Sequence, residues 1–151
     1  MKRRAPDDSI SRKLVFVGKQ ISEQFHALLA EHGSTIPTWA VLSHAHATPG
    51  LSQVALAGQI GIEGPTLARH LDRLCADGLV RRRRDDLDRR VIRIELTEAG
   101  LRRWAELKDM ATTMDRRLTV HLAPEDRLAL DQALDLILDA MEDAHAPAHH
   151  R

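Results

Sequence analysis

Glu63-Gly64-Pro65-Thr66-Leu67-Ala68-Arg69-His70 is the stretch on which the reading of this chain turns. Proline is tolerated in a first helical turn, where its missing N–H has no intrahelical partner to lose, so Pro65 marks a helix start. Leu67, Leu71 and Leu74 follow at four- and three-residue spacing and make one apolar face. Thr66, Arg69, His70 and Arg73 fall on the opposite face. That face carries two guanidinium groups, a hydroxyl and an imidazole, with Asp72 beside them. Groups of this kind contact phosphates and guanine edges. The pattern predicts a helix shaped to lie in a DNA groove.

Outward from that helix the local signals stay consistent. Upstream, Ser52 reads as an N-cap before Val54, Leu56, Ala57 and Ile60, and Gly58 and Gly61 permit a tight turn between two helices. Helix, short glycine-containing turn and helix make a helix-turn-helix. Downstream, Asp77-Gly78 ends the second helix with a C-cap glycine. Two strand-like runs follow, 79–84 and 90–96, separated by the short charged turn Asp85-Asp86-Leu87-Asp88-Arg89. In the second run Ile92, Ile94 and Leu96 alternate with Arg93 and Glu95, the period of a half-buried strand. A two-stranded hairpin after a helix-turn-helix is a winged helix. The expected fold class is mainly α (α+β), a winged helix-turn-helix with long N- and C-terminal helices.

These residues resemble a known family. Leu51-Ser52-Gln53-Val54-Ala55-Leu56-Ala57, Gly61-Ile62-Glu63-Gly64-Pro65-Thr66-Leu67, Leu71-Asp72-Arg73-Leu74 and Asp77-Gly78-Leu79-Val80 look like the MarR-family regulators, and within them the SlyA-like branch. Asp88-Arg89-Arg90, followed by Leu96-Thr97-Glu98-Ala99-Gly100, matches the family's D-x-R and L-T-x-x-G motifs. The match is strong over about 50 residues and rests on the order and spacing of the motifs together. The resemblance implies a dimeric transcriptional regulator. It places recognition-helix contacts at Pro65, Thr66 and Arg69 and a wing contact at Arg90. It also implies an effector pocket between the winged module and the dimer helices, taking small aromatic acids.

Composition narrows the rest. Lys+Arg and Asp+Glu are both 22, so net charge alone says nothing about nucleic acid. Distribution says more. The segment 69–93 holds nine Arg against five Asp, while 123–144 holds seven acids against one Arg. A basic contact surface is thus held away from an acidic helix. Aromatic residues are few, with two Trp, two Phe and no Tyr, which argues against single-strand binding by base stacking. One cysteine excludes an internal disulfide and a cysteine metal cluster. No apolar run approaches the roughly 20 residues of a membrane span, and no secretory signal is visible. A cytoplasmic location without membrane contact is the expectation.

Along the chain, 1–8 reads as a flexible basic arm. Ile10, Leu14, Val17, Ile21, Phe25 and Leu28 predict an amphipathic helix over about 9–30. Pro37 and Thr38 open a second helix bearing Trp39, Val41, Leu42 and Ala45, and Thr48-Pro49-Gly50 breaks it. After the winged module, Thr97 caps a long helix with Leu101, Trp104, Leu107, Ala111, Met114, Leu118 and Leu122 on one side. Pro124 opens the last helix, with Leu128, Leu130, Leu134, Ile137, Leu138 and Met141 on a broad apolar face. The organisation read is therefore a flexible arm at 1–8, supporting and dimerising helices at 9–50, the winged module at 51–97, dimerising helices at 98–144 and a disordered tail at 145–151. Broad apolar faces on long terminal helices point to a two-fold dimer, which would present two recognition helices one DNA turn apart.

The DNA-binding set read from the residues is Pro65, Thr66, Arg69, His70, Arg73, Arg89 and Arg90. Arg69 suits a bidentate guanine contact, and Arg90 suits a narrow minor groove. Asp88 is expected to orient an arginine by ion pairing, since a carboxylate beside phosphates is repelled. Arg81 to Arg84 alternate along a strand, so at most half can face one way; one or two are expected on phosphate and the others structural. Cys75 invites a redox reading, but a small buried apolar residue is the plainer one. His44 and His46 form H-x-H, yet positions i and i+2 diverge on a helix and make a poor chelating pair. An effector pocket is the favoured reading, with Trp39, His44, Arg12 and Lys13 as lining residues, although Trp39 reads more readily as core. No metal, cofactor or enzyme constellation is implied. The function expected is sequence-specific recognition of a pseudo-palindromic double-stranded operator by a homodimer, tuned by a small aromatic carboxylate. The rival reading is a winged-helix module that binds a protein partner, which the clustered Arg69, Arg73, Arg89 and Arg90 oppose because protein interfaces have more apolar centres.

Overall fold

A computed structural model of the chain describes residues 9–145. The arm read at 1–8 and residues 146–151 of the tail lie outside them. In order the elements are α1 (Ile10–Glu31), α2 (Ile36–Ala47), α3 (Gln53–Ile60), α4 (Gly64–Ala76), β1 (Val80–Arg84), β2 (Ile92–Leu96), α5 (Glu98–Thr119) and α6 (Pro124–His145). The strands pair antiparallel in register Val80↔Leu96 to Arg84↔Ile92. The chain divides into two compact units, 1–112 and 113–151, and the division falls within α5.

Local chemistry sets the boundaries. Ser9, Thr35 and Ser52 cap α1, α2 and α3, each side-chain oxygen accepting a backbone N–H three residues on. The cap of α2 is thus Thr35, and Pro37 sits within its first turn rather than opening it. Gly61, at φ 77°, lets the chain leave α3 through the left-handed region that favours glycine. At the end of α4, Gly78 N–H donates to Cys75 C=O at 3.0 Å and Leu79 N–H to Leu74 C=O at 2.9 Å, a Schellman closure. Several boundaries differ from the sequence reading: Leu79 precedes β1, because its N–H is taken by the closure of α4, and Leu122 lies in the turn after α5, which ends at Thr119. Arg90 and Val91 lie in the wing turn rather than in β2, because Asp85 N–H closes on Val91 C=O at 2.9 Å and the ladder begins beyond it. At the C-terminal end α6 continues through His145, so the residue read as the start of a tail is helical.

One core holds the first unit together. Leu29, Val41, Leu42, Leu56, Leu67, Leu71, Ile94 and Leu107 are fully buried. Phe25, Leu28, Trp39, Cys75 and Trp104 pack against them half-buried. The three leucines of α4 are therefore its inner face, and each contributes roughly 1.5–3 kcal/mol on burial. Ile94 N–H also donates to Leu51 C=O at 2.9 Å, and Ser52 forms an isolated bridge with Arg93, so the segment before α3 is pinned to β2 at one point. The hairpin is thereby tied to the helix-turn-helix through backbone as well as side chains.

The Leu96-Thr97-Glu98-Ala99-Gly100 motif has a physical account. Thr97 Oγ1 donates to Gly78 C=O at 2.6 Å and accepts from Gly100 N–H at 3.0 Å. Thr97 N–H donates to Leu79 C=O at 3.1 Å. One threonine thus caps α5 and joins its start to the end of α4. A Cβ at Gly100 would run into the Leu79 carbonyl, a backbone group that cannot swing aside. Gly100→Ala should therefore destabilise the protein by about 3 kcal/mol, as overpacking against backbone does, measured by urea unfolding. A loss below about 1 kcal/mol would mean the two segments separate freely.

Candidate nucleic-acid interface

The outward side of α4 begins at its first turn. Glu63 occupies the N-cap position without a side-chain cap bond, and Pro65 is exposed at the start. Arg69 and Arg73, one turn apart, are exposed; Thr66 and His70 are half-buried between them and the inner face. At the other end of the module, Arg89 and Arg90 are exposed at the wing tip. A groove of about 260 Å³ joins the two regions, lined by Ser52, Gln53, Gly64, Arg90, Val91 and Ile92 among others. Arg90 thus lies beside the start of the recognition helix. Gln53 Oε1 is buried without a hydrogen-bond partner, which makes it a polar group that sequence reading did not single out. Its only signal was its place in the first turn of α3.

The wing sorts its arginines by partner. Arg81 and Glu95 stand directly opposite in the ladder, and Arg81 Nε donates to Glu95 Oε2 at 2.9 Å. Arg83 Nε donates to Glu95 Oε1 at 2.9 Å, and its Nη1 to Asp86 at 2.8 Å. Cross-strand opposite charges of this kind stabilise a sheet. The two guanidinium groups, Arg83 first and then Arg81, hold the Glu95 carboxyl below its usual range. On the other face Arg82 reaches α4, donating from Nη1 to Asp72 at 2.5 Å and from Nη2 to Ala68 C=O at 3.0 Å. That clamp fixes the recognition helix against the hairpin and neutralises the one acid on its outward side. Arg93 pairs with Asp85. Among the described residues Arg69, Arg73, Arg84, Arg89 and Arg90 have no acidic partner.

Asp88 acts differently from the sequence reading. Its Oδ1 accepts the backbone N–H of Arg90 at 3.0 Å, and it forms no ion pair among the described residues. A carboxylate so close in sequence satisfies the turn's own N–H before any guanidinium. The ion-pairing role belongs to Asp85, which sequence reading passed over. Asp85 accepts N–H bonds from Leu87 and Asp88 and pairs with Arg93. The available signal was an aspartate opening a tight turn, where its side chain bonds backbone two and three residues on.

The four residues read as lining an effector pocket do not come together at the cavity beside the wing. That cavity, about 540 Å³, is lined by Ala45, His46, Pro49, Gly50, Arg81, Glu95, Leu96 and Leu101. Trp39 instead meets Phe25 edge-on, ring centroids 5.9 Å apart at 79°. His44 is half-buried on α2, and Arg12 and Lys13 are exposed on α1. His46 stacks on Trp104 with 3.3 Å between centroids, and Lys108 Nζ lies 4.8 Å from the Trp104 ring centroid. Among the described residues no three His, Cys, Asp or Glu converge as metal ligands. Cys75 is half-buried against the core.

A helix-turn-helix with its second helix outward, clamped to a hairpin with arginines at its tip, defines the winged helix class. Within it, residues 34–92 match the model of the MarR family. The transcriptional repressor CouR, solved bound to a 23-mer DNA duplex, is 29% identical with a TM-score of 0.78, covering 91% of this chain and 99% of its own. A MarR transcriptional regulator from Methanosarcina mazei Go1 is 21% identical with a TM-score of 0.78, covering 89% and 97%. The PcaV transcriptional regulator from Streptomyces coelicolor, solved with its natural ligand, is 24% identical with a TM-score of 0.71, covering 93% and 99%. The likeness runs through the flanking helices as well as the module. No helix among the described residues is long and apolar enough to cross a membrane.

The wing's acid sensitivity follows from Asp85. Its carboxyl is lowered from 3.8 to about 2, first by the Asp88 N–H, then by Arg93 and the Leu87 N–H. A depressed folded-state pKa gives stability that is fully present above the unfolded value and lost as pH falls through the folded one. Wild type should therefore melt higher than Asp85→Asn at pH 6, and the gap should close as pH falls from 3.8 toward 2. A gap that stays constant over that range would remove Asp85 from the account.

Proposed function

We propose that this chain is a MarR-family transcriptional regulator that binds a pseudo-palindromic double-stranded operator as a homodimer. The observation that carries the reading is the set of five outward arginines without acidic partners, on the recognition helix and the wing. Arg69 makes the bidentate base contact, with Pro65, Thr66, His70 and Arg73 beside it on bases or backbone. Arg90 enters the flanking minor groove, Arg89 and Arg84 meet phosphate, and Asp88 sets the backbone that carries Arg90. CouR, solved bound to a 23-mer DNA duplex, supports the mode. The runs 51–57 and 61–67 support the finer placement in the SlyA-like branch.

Dimerisation is supported by apolar surface on the terminal helices. Leu128, Leu130, Leu134, Leu136, Leu138 and Met141 of α6 are all exposed, Leu136 to 70%. On α1, Ile10, Val15 and Val17 are exposed too. Apolar faces of this length are covered by another chain, and a second copy covers them symmetrically. A small aromatic carboxylate is the effector class. The 540 Å³ cavity at His46, Pro49, Arg81, Glu95 and Leu101 is the candidate pocket, where the ligand carboxylate competes with Glu95 for the Arg81 guanidinium. PcaV, solved with its natural ligand, supports ligand response as the mode of control. The ligand acts by favouring a dimer whose recognition helices are misplaced for adjacent grooves.

The test is fluorescence anisotropy on duplex from the gene's own upstream region against random duplex. Wild type should prefer the former, and Arg69→Ala should lose that preference by roughly 5- to 150-fold, the worth of one bidentate base contact. Absence of binding to any duplex at low salt would favour a protein partner instead.

A further inference from the structure

The wing tip must reach DNA at a fixed distance from the recognition helix, yet an isolated two-stranded hairpin is marginal in water. Something has to hold it. Asp85 is the first residue after β1, and its side chain is 12% exposed. Its Oδ1 accepts from Leu87 N–H at 2.9 Å and from Asp88 N–H at 3.0 Å. Its own N–H donates to Val91 C=O at 2.9 Å, and Val91 N–H returns to Asp88 C=O at 2.9 Å. Asp88 Oδ1 then takes Arg90 N–H. The whole tip is thus folded around one carboxylate.

The same carboxylate is tied outward. Its Oδ2 accepts from Arg93 Nε, and Arg93 Nη1 donates to Gly50 C=O at 2.9 Å. Gly50 directly precedes the Leu51–Ser52 segment that pairs with β2, and Ser52 is the N-cap of α3. An unbroken path of bonds therefore runs from Arg90 through Asp88, Asp85 and Arg93 to the base of the helix-turn-helix. Both ends of the strut are engaged within the wing: Arg93 commits Nε and Nη1 inward, and Asp85 is an anion.

We infer that Asp85 and Arg93 are a positioning pair that sets the reach of Arg90 into the flanking groove, without touching DNA. This rests on the DNA-binding reading above. Asp88 shapes the last step of the path, but Asp85 and Arg93 anchor it. A residue that merely stabilised the fold would weaken every DNA contact alike. A positioning residue acts through the tip alone, so with Arg89→Ala present in every background of the cycle it acts through Arg90.

A double-mutant cycle separates these, using a duplex selected by wild type from a random-sequence pool. Asp85→Asn should bind about tenfold more weakly, one charge-assisted bond's worth. Asp85→Asn combined with Arg90→Ala should bind no more weakly than Arg90→Ala alone. Combined with Arg69→Ala, the two factors should multiply. Independently of DNA, amide exchange at Leu87, Asp88 and Arg90 should speed up in Asp85→Asn while α4 amides are unchanged. Should Asp85→Asn not fold, Arg93→Lys, which keeps the turn and drops one arm of the strut, enters the same cycle. Factors that multiply with Arg90→Ala overturn the inference. Failure of wild type to select any duplex overturns the DNA reading itself, and the exchange result then still decides whether the strut holds the tip.

Discussion

Four consecutive arginines on one strand repel one another, and the wing exists because acids compensate that charge. Glu95 stands opposite and takes Arg81 and Arg83; Asp86 takes Arg83 from the turn; Asp72 of α4 takes Arg82. Asp85 takes Arg93 on β2. Without these pairings the arginines sharing a face of β1, and Arg83 directly opposite Arg93, would be uncompensated like-charged neighbours, which is destabilising. The pairs are largely solvent-exposed, so each contributes little by itself. Their effect is collective and geometric: they fix which guanidinium groups face the protein.

The remainder follows by subtraction. Nine arginines lie between 69 and 93. Arg81, Arg82, Arg83 and Arg93 are held by acids, and Arg69, Arg73, Arg84, Arg89 and Arg90 are left facing outward. The compensated group builds the wing and clamps it to α4 through Asp72 and Ala68. In the proposed function the uncompensated group carries the net positive field that steers a polyanion. One basic segment thus serves structure and recognition with the same residue type, separated only by where the acids stand.

The recognition helix was fully readable in sequence because everything that defines it is local. Pro65 starts it, Leu67, Leu71 and Leu74 turn it inward, and Gly78 ends it, all within 14 residues. The wing's existence was readable from the alternation at Ile92, Ile94 and Leu96. Its internal wiring was not. Asp85 pairs eight residues on, Arg82 bonds ten residues back, and Arg93 reaches Gly50 across 43 residues. Such choices among many arginines and acids are decided by strand register, which a periodicity argument does not reach. The same limit explains the cavity: His46 and Pro49, Arg81, and Leu101 come from three separate segments, whereas Trp39, His44, Arg12 and Lys13 were grouped by chemistry alone. Leu29, fully buried, also fell outside the apolar face read for α1, because the core contacts the C-terminal end of that helix from one side.

The division of the arginines is the central claim, and the salt dependence of duplex binding tests it most directly. Each arginine that meets a phosphate contributes about 0.9 to the slope of log affinity against log salt. Arg73→Gln, Arg84→Gln and Arg89→Gln should each reduce the slope by about that amount with unchanged melting temperature. Arg81→Gln and Arg83→Gln should leave the slope in place and lower the melting temperature instead. If the slope falls equally for both groups, the compensated arginines also meet DNA, and the division read from the ion pairs is wrong.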